Sequence, residues 1–191
     1  MDKQLNISPY YFKPGFAYGG SCLPKDLKGL QTLAHDLYIK APVIESIDKT
    51  NDLQILRALE IIQNIGKKRI AFLGLSFKAG TDDLRNSPAV TVVETLLGKG
   101  YEVQIYDKNV HLSKLTGTNK DYIDLHIPHL SKLMVNDIID LVDNADVIVV
   151  NNLETEYIDI LLETESSTAI VDMARLPQPI RERKNYYGIN W

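Results

Sequence analysis

Arg69-Ile70-Ala71-Phe72-Leu73-Gly74-Leu75 is a short apolar run that meets a glycine and then a turn, Ser76-Phe77-Lys78-Ala79-Gly80. A continuous apolar run of this length, bounded by turn residues, reads as a strand buried on both faces. An apolar, helix-like stretch follows at 89–97, and the alternation then repeats. Residues 102–106 read as a strand, 136–142 as a helix, 146–150 as a strand, 157–162 as a helix and 169–172 as a strand. Ile- and Val-rich strands separated by helices specify a parallel sheet, because each parallel pair needs a crossover. The expected fold is α/β, a Rossmann-like parallel sheet with helices on both faces, spanning 67–191. Segment 107–135 is long for a connection and is expected to hold short helices that cover a sheet edge.

Upstream of the sheet the pattern is helical. Pro24 opens a helix to about Leu37, with Leu27, Leu30, Leu33, Ala34 and Leu37 on one face. Pro42 restarts the chain, and a long helix at 43–65 is closed by Gly66. Its apolar residues run round much of the circumference. It reads either as an ordinary core helix or as a connecting and dimerising one. Residues 1–23, rich in Tyr, Pro and Gly, carry no period and read as loop.

The chain's one cysteine lies in Gly15-Phe16-Ala17-Tyr18-Gly19-Gly20-Ser21-Cys22-Leu23-Pro24-Lys25-Asp26. Glycines allow close backbone approach, and Pro24 suits the first helical position. Cys22 would then lie just before the first turn, where unpaired N–H groups favour negative charge. Lys25 adds a cation and Asp26 a carboxylate, which together make a nucleophile, a charge stabiliser and a candidate base. The alternative is a buried, inert cysteine acting as a small hydrophobe.

Two stretches carry a family resemblance. Gly19-Gly20-Ser21-Cys22-Leu23-Pro24-Lys25-Asp26 resembles the active-site signature of the UDP-glucose/GDP-mannose dehydrogenase family. Gly74-Leu75-Ser76-Phe77-Lys78-Ala79-Gly80-Thr81-Asp82-Asp83-Leu84-Arg85-Asn86-Ser87-Pro88 resembles its second signature. Both stand in the family's order, and the resemblance runs through essentially all 191 residues. Leu5-Asn6-Ile7-Ser8, Tyr10-Tyr11 and the closing Gly188-Ile189-Asn190-Trp191 look closest to the branch that acts on GDP-mannose.

The resemblance implies NAD-dependent oxidation of a nucleotide sugar's primary alcohol to a carboxylate, GDP-mannose to GDP-mannuronate. A UDP sugar is the alternative substrate. It implies Cys22 as the covalent nucleophile, with Asp26 handling the water. Substrate contacts fall on Asn6, Tyr10, Tyr11, Lys13, Phe16, Gly19, Phe77 and Lys78, and cofactor contacts on Lys25 and Arg85. Lys13 departs from the pattern, which carries an arginine donated across a subunit interface; lysine keeps the charge and loses the bidentate fork. The resemblance also makes 1–66 the C-terminal part of a central helical, dimerising domain and 67–191 the nucleotide-sugar domain. No Gly-x-Gly-x-x-Gly opens the chain, so a C-terminal fragment, inactive alone and lacking the NAD-binding domain, is expected. A homodimer or higher homo-oligomer follows from the same resemblance.

Other features are weaker. The turn at 74–80 reads as a phosphate site helped by Lys78 and Arg85, or as a structural turn. Asp107 reads as a strand-end turn residue. Asp82 and Asp83 read as solvated or capping acids, and His126 and His129, split by Pro128, do not make a zinc site. No metal is expected. A net charge of −4 with dispersed basic residues gives no nucleic-acid partner. With one cysteine, no long apolar run and a polar start, the expectation is a cytoplasmic protein without membrane contact. A substrate-nucleotide-binding and dimerisation module with no chemistry of its own remains as a second class. A cysteine acyltransferase or hydrolase is the third. It would need a histidine near Cys22, and His35 lies more than three helical turns along.

Overall fold

A computed structural model describes residues 14–110, 120, 121, 123, 125 and 127–191. Asn6, Tyr10, Tyr11, Lys13 and His126 lie outside the described residues. Two helices, α1 (Cys22–Asp36) and α2 (Pro42–Ile65), precede β1 (Arg69–Leu73), α3 (Pro88–Gly98) and β2 (Glu102–Tyr106). After them come α4 (Leu130–Leu133), α5 (Ile138–Asp143), β3 (Val147–Val150), α6 (Thr155–Glu163), β4 (Ala169–Asp172), α7 (Gln178–Arg181) and β5 (Tyr186–Gly188).

The strands form one parallel sheet in the order β2-β1-β3-β4-β5. Side chains alternate faces along each strand. In β1, Ile70 and Phe72 enter a core under α2 and α3, whereas Ala71 and Leu73 enter a second core with α5 and α6. Val147 and Val149 of β3 join the first core and Ile148 and Val150 the second. That two-sided burial is why these strands are apolar throughout, and it agrees with the α/β reading.

Because β1 connects outward to β2 while β3 is laid on the other side of β1, the strand order reverses between β1 and β3. In open α/β sheets the crevice beyond the strand ends at such a point receives ligands. Here Gly74 and Asn151 mark those ends.

Three local outcomes differ from the sequence reading. Helix α1 begins at Cys22, with Ser21 as N-cap making no side-chain cap bond, so Pro24 is third in the helix. Proline is tolerated anywhere in this first turn because its N–H would have no helical partner. The first strand stops at Leu73, since Gly74 turns the chain at φ 83°. The fifth strand had not been read at all. Gly66 closes α2 in the left-handed conformation, as its position suggests. Asp137 caps α5 by accepting from the backbone N–H groups of Ile139 and Asp140, which sets that helix's start.

The two leading helices bury little. Within α1 no residue is buried, and in α2 only Ala58, Leu59 and Ile62 are. No helix among the described residues is long and apolar enough to cross a membrane. Phe72, by contrast, is fully buried in the middle of the sheet. Replacing it with alanine should cost about 3–5 kcal/mol of unfolding free energy. Urea denaturation followed by circular dichroism checks this, and a loss under about 1 kcal/mol would mean that the face is not a packed core.

Candidate functional site

Glycine decides where the cysteine loop goes. A Cβ on Gly19 would stand 2.3 Å from the Asn86 carbonyl oxygen, and one on Gly20 would stand 2.9 Å from the Phe77 ring. Gly20 also has φ 82°, which other residues adopt at a cost. The closeness lets the Gly20 N–H donate to the Arg85 carbonyl at 3.0 Å while Asn86 Nδ2 donates to the Gly20 carbonyl at 3.0 Å. From the other side, Asn51 of α2 accepts from the Tyr18 N–H at 2.9 Å and donates to its carbonyl at 3.0 Å. The loop before Cys22 is thereby fixed to the turn that follows β1.

That turn is itself held by buried polar groups. Asp107, at the end of β2, accepts from the N–H groups of Leu75 and Ser76 at 2.8 and 3.2 Å, and from Asn109 at 2.9 Å. Asn152, beyond β3, donates to Ser76 Oγ at 2.9 Å. Ser76 Oγ donates in turn to the Lys78 carbonyl, and Ser87 Oγ donates to the Leu75 carbonyl at 2.7 Å. Gly74 has no room for a side chain beside Asn152. The turn is thereby held, with Phe77 half-buried and Lys78 exposed at its rim.

Cys22 is exposed at the N-terminus of α1, its sulfur 3.9 Å from Ser21 Oγ. Asp26 follows one turn along and pairs with Lys25 at 3.4 Å; both side chains are largely exposed. Arg85 grips Asp83 with its fork, Nε to Oδ1 at 2.9 Å and Nη2 to Oδ2 at 2.7 Å. Hydrogen bonds and charge from Asp83 hold the guanidinium above its usual range, and the Cys22 sulfur contributes to the same field. Phe16 packs against the first core.

The structure thus brings Phe16, Gly19, Cys22, Phe77 and Arg85 to one end of the sheet, with Lys25, Asp26 and Lys78 at its rim. His35 is exposed at the far end of α1 beside Asp36, and His129 pairs with Glu94 on α3. Neither described histidine neighbours Cys22. Among the described residues no three His, Cys, Asp or Glu side chains cluster as a metal set.

Residues 71–179 match the UDP-glucose/GDP-mannose dehydrogenase family, UDP binding domain, and residues 1–53 match the same family's central domain. The chain belongs to this family. Over its whole length it is 44% identical to GDP-mannose 6-dehydrogenase of Pseudomonas putida, of which it spans 44%. A solved ternary complex of GDP-mannose dehydrogenase from Pseudomonas aeruginosa superposes on the full chain with a TM-score of 0.89 at 42% identity, the match covering 43% of that protein. A UDP-glucose dehydrogenase from Pyrobaculum islandicum shares the fold at TM-score 0.77 and 24% identity, with 97% of this chain and 40% of that one covered. The chain therefore spans less than half the length of these dehydrogenases.

Within this dehydrogenase-family chain, sequence reasoning missed the asparagines that build the site. Asn51, Asn86 and Asn152 act across 33, 66 and 76 residues, so nothing local announces them. Asp107 was read as a turn residue; it is one, and it also holds the first turn of the site.

Asp83 supplies a pH test. Hydrogen bonding from Arg85, stronger than the opposing effect of burial, holds its carboxyl below the usual range. A depressed folded pKa gives stability that is complete above the unfolded value, near 4, and is lost as pH falls through the folded value. Arg85→Ala should reduce that acid-side component to what the residue-85 backbone N–H, which also bonds Asp83, supplies. Urea midpoints measured between roughly pH 5 and pH 2 should fall less steeply for the variant, and parallel curves would contradict the assignment.

Proposed function

We propose that this chain is the C-terminal part of an NAD-dependent nucleotide-sugar 6-dehydrogenase that converts GDP-mannose to GDP-mannuronate. The observation that carries the reading is the docking of the Gly19-Gly20 backbone on the turn after β1. It sets the exposed Cys22 beside the crevice where a parallel sheet of this order receives a nucleotide. The names of the most similar relatives favour the GDP sugar.

Oxidising a primary alcohol to a carboxylate removes two hydrides from one carbon, by way of an aldehyde. Cys22 Sγ adds to the aldehyde carbon, the carbonyl oxygen takes a proton, and a thiohemiacetal forms. Loss of its hydride and of its hydroxyl proton leaves a thioester, and water cleaves the C–S bond to release the acid and the thiol. Asp26, one turn along the same helix, orients or deprotonates that water. Phe77 and Lys78 contact the nucleotide sugar from the turn. Phe16 and Gly19 contact it from the cysteine loop, together with Asn6, Tyr10, Tyr11 and Lys13.

NAD, when bound, would supply a hydride acceptor, one NAD for each of the two hydrides. The turn at 74–80 lacks the dinucleotide fingerprint, so the fit here is to the cofactor's edge alone. Exposed Lys25 and the Asp83-held Arg85 are the residues that would meet its phosphates, and the body of NAD belongs to a separate domain. The chain divides at Gly66, a division supported by the separate matches to 1–53 and 71–179.

Assembly is part of the proposal. Leu30 and Leu33 on α1, Leu37 at its C-cap, and Val43, Leu53 and Leu56 on α2 are exposed, an apolar surface of the kind that a second subunit covers. A homodimer or higher homo-oligomer results, with Lys13 near the partner's substrate pocket.

Calorimetry of the chain with GDP, UDP and NAD tests the binding reading. GDP should bind best, NAD should bind weakly or not at all, and Lys78→Ala should weaken GDP-mannose. UDP binding tighter than GDP transfers the reading to a UDP sugar; tight NAD binding without either nucleotide overturns it. In an enzyme completed by its dinucleotide-binding domain, two NAD should be reduced per sugar. There Cys22→Ser should abolish acid formation and retain nucleotide-sugar binding, so normal acid formation by that variant would exclude the covalent step. Light scattering at micromolar concentration should give at least a dimer, and a clean monomer would remove the assembly proposal.

A further inference from the structure

Asp172, the last residue of β4, is completely buried, and its carboxylate collects four hydrogen bonds. Oδ1 accepts from the Ala174 N–H at 2.8 Å. Oδ2 accepts from the Leu176 N–H at 2.8 Å, the Tyr186 hydroxyl at 2.6 Å and the Trp191 indole Nε1 at 2.9 Å. The indole N–H is shared with the Tyr186 hydroxyl oxygen at 2.7 Å. A buried carboxylate is tolerated only when ligated in this way. Two of its ligands do nothing for the turn that follows β4: they hold β5 and the three residues after it.

The tail is bent to meet it. The Ile189 N–H donates to the Asp172 carbonyl at 3.1 Å, and a Cβ on Gly188 would stand 2.3 Å from the Trp191 carbonyl oxygen. Trp191 packs on the first core, as Phe16 does. Between Ile189 and Trp191, Asn190 donates from Nδ2 to the Gly15 carbonyl, at the start of the cysteine loop.

We infer that Asp172 and Asn190 are positioning residues for the loop that carries Cys22. Asp172 fixes the indole of Trp191, the fixed indole presents Asn190, and Asn190 holds Gly15 so that Phe16 seats against the core. Neither residue touches Cys22. The tie at Gly15 is separate from the ties at Tyr18 and Gly20, so releasing it frees the leading part of the loop while leaving the sheet intact. The inference concerns the loop alone and does not rest on the nucleotide-sugar reading.

Hydrogen exchange by mass spectrometry on the whole chain tests it, together with the emission of Trp191, the single tryptophan. In Asn190→Ala, amides of 15–18 should exchange roughly three- to tenfold faster, the effect of losing one neutral hydrogen bond. Amides of the five strands should keep their rates, and Trp191 emission should stay where it is. In Asp172→Asn, emission should shift to the red, with faster exchange at both 186–191 and 15–18. Unchanged exchange at 15–18 in Asn190→Ala overturns the inference. A rise spread evenly over the sheet overturns it too, because that is what general destabilisation produces. Asn190 is at the surface, so this variant decides the matter even where Asp172→Asn does not fold.

Discussion

Gly19 and Gly20 lie so close to the turn after β1 that no side chain fits at either position, and the architecture of the site depends on this contact. It makes one site out of two sequence motifs that stand more than fifty residues apart. Without it, Cys22 would be an exposed thiol on an exposed helix, with no sheet beneath it. With it, the sulfur shares an electrostatic neighbourhood with Arg85, whose guanidinium is held in place by Asp83. A fork clamped by its own carboxylate loses little freedom when a third group approaches, which is an advantage of arginine over lysine at such a place. The contact also explains the polar burial behind it. A backbone can be laid on a turn only if the turn holds still, and Asp107, Ser76 and Asn152 hold it.

The stability of the molecule and the placement of the cysteine loop come from different sources. Stability resides in the sheet, where β1, β3 and β4 bury side chains on both faces. The two leading helices add little to it: α1 buries nothing, and α2 anchors through Ala58, Leu59 and Ile62 near its end. Residues on that half share a core with β1, so α2 is rooted at its C-terminal end. Asn51, nearer its free half, reaches the cysteine loop at Tyr18. A partner that covered the apolar surface of α1 and α2 would therefore press on an element that is bonded to the site.

The parts of the fold legible in the sequence were those that repeat a local rule. Three strands, β1, β3 and β4, announce themselves as apolar runs because both of their faces are buried, whereas the edge strand β2 shows alternation, with Glu102 and Gln104 exposed; β2 and β4 fall on the residues read for them. Gly66 closes α2 through a backbone angle that glycine adopts freely. The fifth strand was not legible: Tyr186-Tyr187-Gly188 is three residues long and is held by a buried carboxylate fourteen residues back. For α1, periodicity gave the right helix and apolar face but could not say that this face is left exposed, since periodicity records a need for cover and not its source. In the site, the residues of the two motifs were legible, and the side chains that join the motifs were not.

Those joining side chains have a common chemistry. The cysteine loop is held by three asparagines, Asn51 at Tyr18, Asn86 at Gly20 and Asn190 at Gly15, each bonding to loop backbone. Apolar packing could fix a loop equally well only by covering it, and a covered loop cannot admit a ligand. An amide side chain fixes the backbone at one atom and leaves the rest of the surface open. It carries a donor and an acceptor on a short, stiff stem, so it can complete a peptide group as a neighbouring strand would; Asn51 does this on both sides of Tyr18. The loop thus acquires the order of a strand without entering the sheet. Since the three anchors belong to α2, the turn after β1 and the tail after β5, a displacement of any one element changes the loop at a different residue.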